Sequence, residues 1–281
     1  MRQCIFCKKI KQESEFNKEH IILEGLGGKG NDNMCNNVCK SCNGSLGSRV
    51  DALLLNHVVT KYQRYTYKIK GKNGIPNPFE EVDINYDNTL IKGNLKINRK
   101  GEICGFRAKY ATYKDGETII FVGPRRDAEK YAKSQMKKMG YSEFTPLDLG
   151  VPKIPNIEYV EFPPELREEY LYHSFPAMLK MAYEFCVKIL GDNYIEDKCE
   201  DDIRKYLLNF DKKQKVAIPT NATLDWGNNI KNENLIELFQ TEGEKIYVHL
   251  MILGYGLGTI CMSEDAGRYG KVEKSILRIS V

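Results

Sequence analysis

Two Cys-x-x-Cys pairs, Cys4/Cys7 and Cys39/Cys42, flank a 31-residue insert spanning 8–38. Each tight turn presents two thiolates, and four sulfurs complete the tetrahedral shell of a zinc ion. Such a shell ties both ends of the insert together before any core forms, which narrows what the first fifty residues can become. Disulfides would need an oxidising compartment, and the opening Met1-Arg2-Gln3-Cys4 has no apolar leader run, so the expected location is cytoplasmic. Cys35 is a spare thiol nearby. Cys104, Cys186, Cys199 and Cys261 are scattered and read as small apolar residues. A shell closed by sulfur has no open position, so the zinc is expected to be structural and any chemistry to sit on what it staples.

Between the pairs runs Glu19-His20-Ile21-Ile22, an acid beside an imidazole on a strand-like stretch, followed by the loop Gly25-Leu26-Gly27-Gly28-Lys29-Gly30. Asn43 follows the last cysteine, and the apolar spacing of 44–54 predicts a helix. The order Cys-x-x-Cys, Glu-His-Ile-Ile, Leu-Gly-Gly, Cys-x-x-Cys-Asn, Leu-Gly, Asp resembles the zinc-stapled, four-cysteine branch of the HNH endonucleases. The resemblance spans residues 4–54, about a fifth of the chain. It implies a ββα-metal fold in which a hairpin and a helix grip one catalytic ion. His20 would be the general base, Glu19 and Asn43 the ligands of Mg2+ or Mn2+, and Cys4, Cys7, Cys39 and Cys42 the zinc ligands. A middle asparagine orienting the imidazole would be Asn37 or Asn36, and spacing does not choose between them. Where the family usually has proline after the Glu-His-Ile-Ile run, this chain has Leu23.

The chemistry of the residues agrees. Phosphodiester hydrolysis near neutrality needs a base for the attacking water and a cation for the charge that develops on phosphate. Imidazole, with an unperturbed pKa near ~6.5, suits the first task. One carboxylate and one amide oxygen leave Mg2+ room for water and substrate. Neighbours on a regular strand face opposite ways, so a turn or bulge near Glu19 is expected. Asn43 is also a good helix N-cap.

The net charge of +4 conceals an asymmetry: residues 1–140 carry 26 basic and 15 acidic side chains, net +11, leaving −7 for 141–281. A basic half can hold a phosphate backbone that an acidic half repels. No acidic residue lies between Asp51 and Glu80, and Lys61, Arg64, Lys68, Lys70 and Lys72 interleave with three tyrosines, a strip suited to phosphates and bases. His57 lies just upstream without a motif. Glycines and prolines place a linker near 71–80.

Beyond it, strands are expected near 89–97, 103–111 and 117–123 as an antiparallel meander, then a helix closed by Gly140. A buried helix is expected over Ala177–Leu190, a second near 200–209, and strands near 245–253, 258–263 and 274–280. His173 and His249 read as structural. No run reaches the ~18 apolar residues that span a bilayer. The expected architecture is α+β: a zinc-bound HNH module (1–60), a basic segment and linker (61–80), and a mixed α+β domain with antiparallel sheet (81–281). The expected activity is metal-dependent DNA cleavage, in restriction or phage defence, with a homodimer serving double-strand cuts. The alternative is a non-catalytic zinc-dependent nucleic-acid binding or sensor protein.

Overall fold

A computed structural model describes residues 1–71, 73–80, 82–86, 89–110, 121–122, 125–142, 164–211, 233–242 and 244–281. The architecture is α+β with antiparallel sheets, as expected. Contacts divide the chain into two units, Met1–Lys72 with Phe162–Val281, and Asn73–Glu161. Where the sequence suggested a break between 1–60 and 81–281, the first 72 residues share a core with the last 120.

In the first unit, β1 (Arg2–Gln3) pairs with β2 (Ile10–Lys11), and β3 (Glu19–His20) pairs with β4 (Met34–Cys35). Helix α1 (Lys40–Leu46) continues through a wider π turn at Gly47–Asp51 into α2 (Ala52–Asn56), and α3 (Val58–Thr66) follows a break at His57. Because α1 starts at Lys40 with Cys39 as its N-cap, Asn43 lies inside the first turn; the expectation that it caps the helix is corrected. The helix begins early because the second cysteine turn itself winds into it, Asn43 N–H donating to the Cys39 carbonyl at 2.9 Å.

The Leu-Gly-Gly loop is set by backbone crowding. Gly27 takes φ +89°, open to glycine at no steric cost, and a Cβ on Gly28 would fall 1.8 Å from the Ile22 carbonyl oxygen. That close approach lets Gly28 N–H bond Leu23 and folds the loop back on the strand it follows.

The second unit is a meander in the order β5 (Val82–Tyr86), β6 (Thr89–Ile97), β7 (Ile103–Tyr110), β8 (Phe121–Val122), with α4 (Arg125–Met139) after it. Asn98–Gly101 makes the β6–β7 turn, and Gly140 closes α4 at φ +81°. Strand β5 was not foreseen. The expected turn at 114–116 lies outside the described residues.

Helix α5 (Pro164–Leu190) runs through the core of the first unit, packing on α2, α6 (Asp192–Ile195), α7 (Lys198–Asn209) and β4. It also covers a sheet ordered β11 (Tyr255–Ser263), β10 (Ile246–Ile252), β9 (Glu233–Gln240), β12 (Ser275–Ser280). Alternate residues of β9 and β10 are buried, giving that sheet one apolar face. The helix is 13 residues longer than the expected 177–190. Its first half carries exposed Glu165, Glu168 and Glu169, and Pro176 interrupts the pattern, so only the half buried all round, with Met178, Met181, Ala182, Tyr183 and Phe185, was legible.

Candidate metal and catalytic centre

The sulfurs of Cys4, Cys7, Cys39 and Cys42 all lie within 4.8 Å of one another. Zn–S bonds of about 2.3 Å imply sulfur separations of about 3.8 Å, so the four thiols fit a tetrahedral zinc shell after a slight contraction. Local geometry supports the cluster. Lys8 N–H bonds the Cys4 carbonyl at 2.9 Å and Lys8 takes φ +57°, curling the first turn. Cys39 N–H donates to Cys4 Sγ at 3.4 Å. The Cys42 thiol holds Cys4 down to about 4, while the same contact pushes Cys42 up and burial pushes Cys7 up, so one sulfur carries the negative charge and its neighbours keep their protons.

Behind this frame, β3 and β4 pair in regular register, Glu19 opposite Cys35 and His20 opposite Met34. The turn or bulge expected near Glu19 is absent: the strand is regular there, the bend falls beyond it at Ile21–Ile22, and Glu19 and His20 therefore lie on opposite faces of β3. Glu19 is buried and His20 half-buried, the alternation a strand imposes. Asn43 Nδ2 donates to Glu19 Oε2 across 24 positions of sequence. The other oxygen, Oε1, accepts from Lys180 Nζ of α5 at 2.7 Å. Lys180 also reaches Asp51 Oδ2 at 2.9 Å and Glu184 Oε1 at 3.6 Å. Burial alone would push the ammonium down, but Glu184, Asp51 and Glu19 outweigh it and hold it above its ordinary value. Burial pushes the Asp51 and Glu184 carboxyls up.

Asn33, not singled out in the sequence, clamps the strand that carries the acid and the imidazole. Its Oδ1 accepts from Ile22 N–H at 2.7 Å and its Nδ2 donates to the Ile22 carbonyl at 2.8 Å, while its carbonyl accepts from Ile21 N–H. Asn36 is exposed; Asn37 is half-buried and its carbonyl accepts from Ile5 N–H at 3.0 Å. An asparagine near a glycine loop is a common turn residue, so nothing in the sequence distinguished Asn33 from its neighbours.

Lys61 and Arg64 of the basic strip lie on α3, and Lys68 and Lys70 follow its end. Arg64 is buried, which takes its side chain off the solvent face; Lys61 is half-buried, Lys68 lies over the Tyr65 ring at 4.3 Å, and Lys70 is exposed. Lys72 lies outside the described residues. His57 caps α3, its Nδ1 accepting from Val59 N–H at 3.3 Å, and burial together with His173 pushes it down to about 4.

A family described as HNH endonuclease matches residues 4–59. No curated protein and no solved structure matches the chain at a significant level.

Proposed function

We propose, from an N-terminal module that belongs to the HNH endonucleases, that the chain is a metal-dependent endonuclease hydrolysing phosphodiester bonds of DNA. The observation that carries this reading is the direct contact of Glu19 with Asn43, which adjoin His20 and Cys42 along the chain, in the same segment as four clustered thiols. A carboxylate and a carboxamide carry the oxygen donors that Mg2+ or Mn2+ prefers, and these two residues would hold the ion by exchanging the contact that Asn43 Nδ2 now makes with Glu19 Oε2. A divalent ion there would supply positive charge to the scissile phosphate and the leaving oxygen. His20 takes the proton from the attacking water. Lys180 fixes the far oxygen of Glu19 and so sets how its carboxylate is presented. Cys4, Cys7, Cys39 and Cys42 hold zinc as a scaffold, and thiolates that must stay reduced favour a cytoplasmic setting.

Exposed Lys70 and Lys68, with half-buried Lys61, are the cations proposed to meet the phosphate backbone. One module cuts one strand, so a double-strand break would take a homodimer or two successive nicks. Restriction or phage defence is the proposed setting, and that part rests on the resemblance alone. Among the described residues, no helix is long and apolar enough to cross a membrane.

The test incubates supercoiled plasmid with the protein and Mg2+ or Mn2+, beside a His20→Ala variant of equal zinc content. Loss of nicking by about 10²–10⁴-fold in the variant supports the assignment. Equal nicking by both proteins, or none by the wild type, defeats it. A second reading, a zinc-dependent binding or sensor module without catalysis, draws on one observation: both oxygens of Glu19 already have partners. It expects salt-sensitive DNA binding that leaves the plasmid uncut.

A further inference from the structure

We propose that His57, Glu169 and His173 form a second metal site, for a first-row transition ion of the zinc type, separate from the tetrathiol cluster and from the Glu19–Asn43 pair. One donor atom from each residue lies within 4.8 Å of the other two. Glu169 and His173 stand one turn apart on α5, His173 Nδ1 at 3.5 Å from Glu169 Oε1, the spacing by which a helix offers two ligands on one face. The third comes from the junction of α2 and α3: the His57 ring lies 5.7 Å from that of His173. Tyr170, at 5.1 Å from His57, flanks the pair on the buried side.

Two imidazoles and a carboxylate make a three-ligand set that zinc and its neighbours accept, leaving a position for water or an outside ligand. Mg2+, which prefers oxygen, would not compete well here. Burial is graded, His57 buried, His173 half-buried and Glu169 exposed, so the site is anchored inside and reachable from solvent. Because His57 Nδ1 receives the Val59 N–H, Nε2 is the nitrogen left to coordinate. Coordination through it moves the ring proton to Nδ1 and gives up that long 3.3 Å bond. The ion would clip α5 to the α2–α3 junction, tying the segment after residue 162 to the HNH module.

Glu169 and His173 fall outside the matched residues 4–59, so the site does not depend on the nuclease reading. The test titrates Co2+ into full-length protein carrying one zinc on its cysteines, with Mg2+ in large excess to occupy the Glu19–Asn43 pair. One further equivalent should bind, with d–d bands of nitrogen–oxygen coordination and no thiolate charge-transfer band, and the Val59 amide resonance should shift. His173→Ala, at a half-buried position, and Glu169→Gln, at an exposed one, should each weaken that equivalent about tenfold or more while circular dichroism stays unchanged. Glu19→Gln and His20→Ala should leave it intact. No second equivalent in the wild type, equal binding by His173→Ala, or loss in Glu19→Gln would overturn the assignment.

Discussion

Lys180 has no exposed surface, and its ammonium is the cation shared by Glu19, Asp51 and Glu184. Breaking a buried ion pair from one side costs more than the pair contributes, because the stranded charge keeps its desolvation penalty. Lys180→Met should therefore destabilise the protein by about 3–5 kcal/mol, read from the urea midpoint. The sign with pH follows from Asp51, whose carboxyl burial already pushes up and which only Lys180 draws down. Without the lysine, burial is unopposed and the variant's carboxyls take protons more readily. Its deficit should be largest where those raised carboxyls are ionised and shrink as pH falls toward the usual carboxylate range, because wild type and variant both titrate above it. A deficit under 1 kcal/mol at neutral pH would show that these carboxylates do not rely on Lys180.

At the scale of elements, the β3–β4 hairpin is too short to hold itself, with two residues in each strand. Asn33 compensates by bonding both backbone groups of Ile22 from inside the protein. Asn33→Ala would leave a buried N–H and C=O without partners, at about 1–3 kcal/mol each. Asn33→Asp keeps the acceptor and should fall between the wild type and alanine in a thermal melt. Equal melting of all three would remove Asn33 from the account. Helix α5 shows the complementary case: Pro176 cannot donate to the Tyr172 carbonyl, yet the helix continues because the apolar residues after it are buried on every side.

Across the whole of the first unit, the segment matched to the HNH endonucleases is bolted to the end of the chain. Tyr183 Oη lies 2.8 Å from the Ile5 carbonyl and 2.7 Å from Glu200 Oε1, which also accepts from Lys8 Nζ. Arg49 Nη1 donates to the Leu208 and Phe210 carbonyls at the end of α7, and buried Asn234 donates to the Leu26 carbonyl. Residues 1–72 alone should therefore bind zinc yet lack fixed packing, giving poor amide dispersion and no cooperative melt. A well-dispersed spectrum with a sharp melt from that fragment would mean that the module folds unaided. Part of the acidic excess of residues 141–281 is internal: Glu184, Asp197 and Glu200 are buried, and Lys180, Ser263, Tyr269 and Lys8 meet them.

The sequence by itself determined whatever local spacing controls. Two cysteine pairs could face one ion, Glu19-His20 could lie on a strand, and the turn residues of 89–110 could draw a meander, because each depends on residues close along the chain. The family match falls on the same locally spaced segment, residues 4–59. Only the tertiary structure decided that Lys180, 161 positions away, meets Glu19, that Asn33 clamps the hairpin, and that His57 faces His173. Such pairings carry no local period. They arise where burying α5 brings segments from opposite ends of the chain into one core, and a charge or imidazole carried into that core must find its partner there.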